Sequence, residues 1–250
     1  MRVRDRGADL KTSQPLTSIL RGRPLITDSV LENGFTLLIC GLPGAGKTTL
    51  GLFLLNEIYR EHVGTDDPDG DSRALFLSLV ESSRQLETIC DVYGLRFLGR
   101  KVPAIRIRFK ANDIPDLKKL AEGAGHTLRP GDLLLVDGIS VLGTETQHRE
   151  SLDAFLDQVK QEKLFAILIA EEHSGHGDIF LEYAVDGIIR LGVDSAPAAT
   201  LGWPARRWLE ITKLRWHDYT LGRHGFRLQA RDGFPDDPGV VFFPSATALT

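Results

Sequence analysis

An α/β fold is predicted, with a mostly parallel central sheet, helices on both faces and an antiparallel β extension at the C-terminal edge. Three observations predict it. Short apolar runs alternate with helix-spaced segments from Phe35 onward. Several of those runs are apolar at nearly every position, which suits central strands covered on both faces. After Leu191 the texture changes to short β-like runs separated by turn residues. Alternation of strand and helix implies parallel crossovers, whereas a closing series of strands implies an antiparallel extension.

The strand candidates are Phe35–Cys40, Ala74–Leu79, Ala104–Phe109, Leu133–Val136, Phe165–Ala170 and Gly187–Leu191. Between them, Lys47–Glu61, Arg84–Tyr93, Ile114–Thr127 and Ser151–Glu162 carry apolar residues at helical spacing. Ser82, with Gln85 three residues later, reads as a capping box for the second of these helices. Gly64–Ser72 is a polar loop whose acidic residues do not have the spacing of a calcium loop. Asp194–Pro204, rich in Ala, Pro and Gly, reads as another loop. The β-like runs Trp208–Leu214, Gly225–Gln229 and Val240–Phe243 then form the edge extension. Residues 1–15 are polar and read as a flexible tail, leaving residues 16–250 as a single domain.

Composition narrows the function classes. Apolar residues make up 42% and charged residues 26% of the 250, so the chain can bury a sizeable core and is not disordered overall. A net charge of -4 argues against a dedicated nucleic-acid binder, though a local basic patch is compatible with it. Cys40 and Cys90 lie in apolar-periodic stretches without CxxC spacing and read as buried free thiols in a reducing compartment. No apolar run approaches the ~20 residues a membrane helix needs. The arginines at 2, 4 and 6 precede no apolar core, so they do not form a signal peptide. A cytoplasmic location is expected.

The motif that carries chemistry is Gly41-Leu42-Pro43-Gly44-Ala45-Gly46-Lys47-Thr48, which fits GxxxxGK[ST] at every fixed position. An apolar strand precedes it and an amphipathic helix follows. Glycines let backbone N–H groups converge on phosphate oxygens without Cβ clashes, and the helix N-terminus favours negative charge. Lys47 is expected to neutralise the β- and γ-phosphates, and the Thr48 hydroxyl to complete a Mg²⁺ shell, with Thr49 next in the loop. Bound nucleoside triphosphate with Mg²⁺ is the expectation. Asp137 ends the apolar run from Leu133, where a carboxylate is costly unless it meets a cation or donors. It is the candidate for the Mg²⁺ water shell.

Glu81 follows the run Leu75–Val80. If that strand lies beside the phosphate-loop strand, Glu81 lies near the γ-phosphate and can polarise an attacking water. Glu171 and Glu172 follow the strand Phe165–Ala170 and are candidate sensors of the γ-phosphate. His173 and His176 beyond them read as polar loop residues rather than metal ligands.

Together these residues resemble the RecA-fold P-loop ATPases, and within them the KaiC-like group. The carriers are GLPGAGKTTL at Gly41–Leu50, LFLSLVES at Leu75–Ser82, LLLVDGIS at Leu133–Ser140, YAVDGIIRL at Tyr183–Leu191, KLR at Lys213–Arg215 and GVVFFP at Gly239–Pro244. The resemblance spans most of Phe35–Pro244. It implies ATP as the nucleotide, and assembly into rings, often hexamers, with ATP between neighbouring subunits. Lys213 and Arg215 match the basic pair that reaches a neighbour's γ-phosphate, a role suited to the permanent charge and forked donors of Arg. Glu81 matches the water-activating carboxylate and Asp137 the Mg²⁺ aspartate.

Three departures matter. Such sequences often carry two adjacent glutamates after the second strand, and here the first is Val80, which implies slower or altered hydrolysis. KLR is commonly followed by Gly, and here Trp216 follows. The usual Gly-rich segment before the first strand is replaced by Leu16–Gly34. One ATPase domain fits the chain, so a tandem clock-type protein is not implied.

The expected function is therefore an ATPase whose nucleotide state controls self-assembly or binding of a protein partner. A nucleotide-binding switch with little or no hydrolysis is the alternative. DNA binding of the recombination type is less well supported. The loops that would contact DNA, Gly138–Glu150 and Glu171–Asp178, hold Arg149 as their only Lys or Arg. The basic cluster Arg206, Arg207, Lys213, Arg215, Arg223 and Arg227 is the remaining candidate. Trp203, Trp208 and Trp216 near it suit either an interface or the packing of an edge hairpin.

Overall fold

The structure is a computed structural model. It describes residue 30 and residues 33–62, 73–80, 82–95, 104–106, 116–142, 146–172, 179–194, 206–229 and 239–243. Among the described residues nine strands form one sheet: β1 (Phe35–Gly41), β2 (Ala74–Ser78), β3 (Ala104–Arg106), β4 (Leu133–Asp137), β5 (Phe165–Glu171), β6 (Gly187–Asp194), β7 (Arg206–Leu214), β8 (Arg223–Leu228) and β9 (Val240–Phe243). The order across the sheet is β3-β2-β4-β5-β1-β6-β7-β8-β9. Strands from β3 through β6 pair in parallel, and β6 through β9 pair antiparallel. The predicted parallel core and antiparallel edge are both present.

Among the described residues five α-helices accompany this sheet: α1 (Lys47–His62), α2 (Ser83–Tyr93), α3 (Leu117–Gly123), α4 (Thr146–Gln161) and α5 (Ile179–Ala184). Alternation along β1 divides the core into two layers. Phe35, Leu37 and Ile39 pack with Leu50, Leu54 and Ile58 of α1. Leu38 and Cys40 point the other way, toward Leu152, Phe155 and Val159 of α4. A parallel strand buried on both faces must be apolar at successive positions, which is why β1, β4 and β5 read as unbroken apolar runs.

The capping box at the start of α2 forms as expected. Ser82 Oγ accepts from the Gln85 N–H, and the Gln85 side-chain oxygen accepts from the Ser82 N–H at 2.9 Å. Other boundaries shift. The expected helix Ile114–Thr127 is shortened to α3, because the Asp116 carboxylate caps its start on the amides of Lys118 and Lys119. At its far end Gly125, at φ 72°, turns the chain and the His126 amide returns to Ala121. α4 begins five residues earlier than Ser151, since its first turn is polar and leaves no apolar period to read. β7 and β8 each begin two residues earlier than expected. The expected tail 1–15 and most of the loops Gly64–Ser72 and Asp194–Pro204 lie outside the described residues.

The site is positioned by strand order. β1 occupies the centre of the sheet, and its C-terminal end points into the crevice between β5 and β6. Open α/β sheets bind ligands at the C-terminal ends of their parallel strands. No described helix is long and apolar enough to cross a membrane.

Candidate functional site

The loop Gly41–Gly46 joins β1 to α1 and must turn sharply between two buried elements. Gly41 has φ 152°, and a Cβ there would sit 2.2 Å from the Leu191 carbonyl oxygen on β6. Only glycine allows that approach. Gly44 has φ 78° with nothing within 4 Å of a Cβ position, so it faces open space. Leu42, Pro43 and Gly44 are exposed, whereas Ala45 and Lys47 are buried. The Ala45 amide returns to the Leu42 carbonyl at 3.2 Å, and α1 starts with the Leu50 amide on the Gly46 carbonyl. The result is an open cradle over a helix N-terminus, the shape that a phosphate chain fits.

Lys47 is 7% exposed. Its ammonium donates to the Leu42 carbonyl at 3.0 Å and lies 3.9 Å from a Glu171 carboxylate oxygen. Desolvation by burial pulls its pKa below the usual lysine value, opposed by Glu171 and Asp137. A cation held under an open loop with one neutral partner can transfer its hydrogen bonds to an anion that enters the cradle.

Thr48 Oγ1 donates to Asp137 Oδ2 at 3.2 Å. This contact spans β5, which lies between β1 and β4. A hydroxyl and a carboxylate converging beside a phosphate cradle make a hard oxygen donor pair of the kind Mg²⁺ takes. The residues present therefore fit a magnesium nucleotide. Thr49 follows on the first turn of α1 and is half-buried. Among the described residues no group of three His, Cys, Asp or Glu side chains gathers as a separate metal site.

The condition attached to Glu81 is not met. β2 is not beside β1: β4 and β5 lie between them. β2 instead pairs with β4, with Ser78 opposite Asp137 and the Leu79 amide on the Asp137 carbonyl. Glu81 itself, with His173 and His176, lies outside the described residues. Its neighbour Val80 is 48% exposed at this end of the sheet, with a methyl 3.0 Å from where a Gly138 Cβ would stand.

Glu171 and Glu172 have different surroundings. Glu171 is exposed beside Lys47. Glu172 hydrogen-bonds Arg190, which also pairs with Glu182. This charged group lies behind β1, where burial and the neighbouring Glu172 push the Cys40 thiol pKa up. Cys40 and Cys90 are both free, and Cys90 is only partly buried, with its pKa pushed up to about 12 by that burial.

Lys213 and Arg215 occupy the opposite end of the sheet. The antiparallel run of β7 along β6 puts them there, and a β-bulge sets the face that Lys213 presents. Ile189 faces Ile211, but Ile188 faces Lys213, so Thr212 is an extra residue on β7. Side chains alternate along a strand, so one added residue turns Lys213 away from the face of Ile211 toward α5. Its ammonium donates to the Glu182 carbonyl at 2.9 Å and to those of Tyr183 and Val185. It thus satisfies carbonyls that the end of a helix leaves free. Desolvation, then the neighbouring Arg215, lowers its pKa. Arg215 donates to Asp186 Oδ1 at 3.1 Å. Asp186 also holds the Thr36 amide and hydroxyl at 3.0 and 2.8 Å. Thr36 is five residues before Gly41, or about 16 Å along a strand. Neither cation reaches the phosphate loop of its own chain.

The rest of the basic cluster divides by contact. Arg223 stacks over the Trp208 ring at 4.0 Å and lies 3.7 Å from Glu210. Trp208 is held between Arg223 and Gly192, which is hairpin packing. Arg227 bonds Gln229. Arg207 is different. Its Nε is buried without a hydrogen-bond partner, 3.9 Å from where a Gly46 Cβ would stand. In the sequence Arg207 is one member of the basic cluster that is the remaining candidate for DNA contact. Only the antiparallel return of β7 brings it against the phosphate loop. Trp203 lies outside the described residues.

Trp216 takes φ 64°, a left-handed conformation, and is 60% exposed. It is the position after KLR at which Gly is the common expectation. A bulky residue there bears strain of about 1–3 kcal/mol.

Comparison with known proteins agrees with this architecture. A family described as "ATPase: KaiC" matches residues 101–234, just over half of the chain. No curated protein matches the chain. Among solved structures, the crystal structure of a KaiC-like protein from the hyperthermophilic archaeon Pyrococcus horikoshii OT3 is similar, with a TM-score of 0.61 at 19% identity. The match covers 85% of this chain and 90% of that one. At that identity the likeness establishes the RecA-like fold.

Proposed function

The chain belongs to the KaiC family of ATPases, and from that premise we propose that it binds MgATP on Gly41–Thr48 and hydrolyses it at a site completed by a second copy of the chain. The observation that carries this reading is the separation of two chemically matched groups. Lys47, Thr48 and Asp137 gather at one end of the sheet, while Lys213 and Arg215 are fixed at the other. Two copies stacked head to tail bring them together.

The loop amides and Lys47 hold the β- and γ-phosphates, with Thr49 on the adjoining turn. Thr48 and Asp137 hold Mg²⁺, which when bound screens the phosphate charge and orients the terminal phosphoryl group. Arg207 adds a guanidinium to the nucleotide from the β7 side. Glu81, three residues past the partner of Asp137, orients the attacking water and accepts its proton. The partner's Lys213 and the partner's Arg215 stabilise charge on the transferring phosphoryl group. Nucleotide state then governs self-assembly, as a ring, and the binding of a protein partner.

A second reading, a switch that binds ATP and hydrolyses it little, is favoured by Val80. Its exposed apolar side chain stands beside Gly138, where it cannot orient water. Steady-state phosphate release separates the two readings. Glu81→Gln is expected to stop turnover with ATP binding retained; unchanged turnover removes Glu81 from the mechanism.

The composite site is tested by mixing. Lys47→Ala and Arg215→Ala are each expected to be silent. Their mixture regains part of the turnover, because some sites then combine an intact loop with an intact Arg215. A mixture as silent as its components, with Arg215→Ala still binding ATP, overturns the shared site.

A further inference from the structure

We propose that Trp216 docks beside the phosphate loop of a second copy of this chain, against Val80. The proposal rests on the composite-site reading and names the apolar contact that would accompany the delivery of Arg215.

The starting point is a residue that is costly in two ways. Trp216 has φ 64°, where a side chain of its size is strained. It also leaves 60% of its surface in water, touching its own chain through a tilted contact with Phe35, ring centroids 6.1 Å apart. Backbone strain of this kind persists where function requires it. Trp216 is not alone. Tyr183 at the end of α5 is 78% exposed, and Leu221 beyond β7 is 69% exposed. The Tyr183 carbonyl accepts from Lys213, so Tyr183 and the basic pair share one end of the sheet.

The opposite end carries a matching set. Leu42 is 49% exposed in the phosphate loop, and Val80 is 48% exposed after β2. Val80 packs beside Gly138, next to Asp137, which is hydrogen-bonded to Thr48. Two apolar side chains are therefore exposed at this end of the sheet, Leu42 within the loop and Val80 on the Asp137 side, with β5 and β4 between their strands. The Phe35–Trp216 contact fixes Trp216 at the start of β1, whereas Leu42 and Val80 lie beyond the C-terminal ends of β1 and β2. The two patches cannot meet within one chain. Between copies they can, and the contact is head to tail, the arrangement that closes into rings or extends into filaments. Arg215 immediately precedes Trp216. When its guanidinium, half exposed on Asp186, faces a neighbour's phosphates, Trp216 faces the surface beside them. Charge aligns the copies and the indole covers Val80.

Light scattering with and without ATP and Mg²⁺ tests this with wild type, Trp216→Gly and Val80→Gln. Glycine tolerates the left-handed backbone, so the first change removes the indole without adding strain. Each variant alone is expected to bind ATP and to associate more weakly by roughly 30-fold, as loss of an aromatic anchor does. Mixed, they are expected to form dimers, since Trp216 of the Val80→Gln copy still meets Val80 of the Trp216→Gly copy. Trp216→Gly associating like wild type overturns the proposal. If it does so while the Lys47→Ala and Arg215→Ala mixture regains turnover, the composite site survives and this contact alone fails. A wild type that binds MgATP yet stays monomeric overturns both.

Fluorescence gives a readout that does not require truncating the indole. With Trp203→Phe and Trp208→Phe, Trp216 is the remaining tryptophan. Its emission is expected to shift to the blue on assembly with MgATP. Unchanged emission from the assembled protein overturns the proposal.

Discussion

Thr48 and Asp137 are 89 residues apart in sequence and meet through a hydrogen bond of 3.2 Å across an intervening strand. The contact joins the phosphate cradle to the strand that ends in a buried carboxylate. If the pair holds Mg²⁺, Asp137→Asn keeps the shape and removes the charge. Affinity for MgATP is expected to fall about tenfold or more, the scale of a charge-assisted contact. Affinity for ATP in EDTA is expected to be unchanged or higher, because the carboxylate then only repels phosphate. Calorimetric titration in the two buffers checks this. An equal loss in both places Asp137 outside the metal site.

Gly41 and Gly44 are both glycines of the loop, but the space around them differs. An alanine Cβ at 41 would sit 2.2 Å from the Leu191 carbonyl, so β1 and β6 would have to separate. Gly41→Ala is expected to lower stability by about 3 kcal/mol, combining overpacking with an unfavourable φ. Gly44→Ala meets nothing within 4 Å and carries only the cost of its φ, about 1 kcal/mol. Its methyl group would nevertheless stand in the open cradle, so nucleotide affinity is expected to fall sharply. Urea unfolding and nucleotide titration of the two variants should therefore rank them in opposite orders.

These distinctions mark what the sequence made legible. The apolar runs located all the strands of the parallel core, and Ser82 with Gln85 announced the start of α2, because both signals are local. Strand order is not local. That β4 and β5 separate β2 from β1 depends on crossovers whose direction no residue pattern states, so the adjacency posed as a condition for Glu81 could not be decided from the sequence. The bulge at Thr212 left a local trace that reading the segment as one β-like run passed over. In the run from Trp208 to Leu214 the apolar alternation of Leu209 and Ile211 breaks at Lys213 and resumes at Leu214, and one extra residue is what reverses the face that Lys213 presents. Arg207 stood only as one member of a basic cluster, and the pairing of β7 with β6 is what sets it beside Gly46. α5 has six residues, too few to display a helical period. Trp216 was visible as a departure from the resembling sequences, but its left-handed backbone was not.

Lys47 gives a pH dependence with a definite sign. Its charged form is disfavoured by burial, so its folded pKa lies below the value of 10.5 it has when unfolded. Between those two values the unfolded chain holds more protons, and stability from this group rises with pH. Below the folded pKa the buried charge is a constant cost. Lys47→Met removes the titration. The stability of the nucleotide-free wild type minus that of Lys47→Met is therefore expected to increase as pH approaches 10.5. Urea midpoints of both proteins across the alkaline range test it, and a flat or falling difference contradicts it. The same substitution is expected to abolish ATP binding near neutral pH, which separates the cost of the buried ammonium from its use.

Asp186 is the group that decides how firmly Arg215 is held. It is 3% exposed and takes the Thr36 amide, the Thr36 hydroxyl and the Arg215 guanidinium on its two oxygens. It thereby ties the start of β1 to β6 and to the end of β7. Asp186→Ala leaves two buried donors of Thr36 without their carboxylate, and a loss of about 3 kcal/mol is expected. Arg215→Ala removes a partner that is half exposed, where solvent screens the pair, and a loss of at most about 1 kcal/mol is expected. Turnover is expected to follow a different order. Asp186→Asn keeps a hydrogen-bonding oxygen for Thr36 but weakens the hold on Arg215, so the guanidinium should lose its fixed position while the fold survives. ATP binding is expected to be unchanged and kcat to fall. If kcat stays at the wild-type value while Arg215→Ala is inactive, Arg215 does not depend on Asp186 for its alignment, and the latch is purely structural.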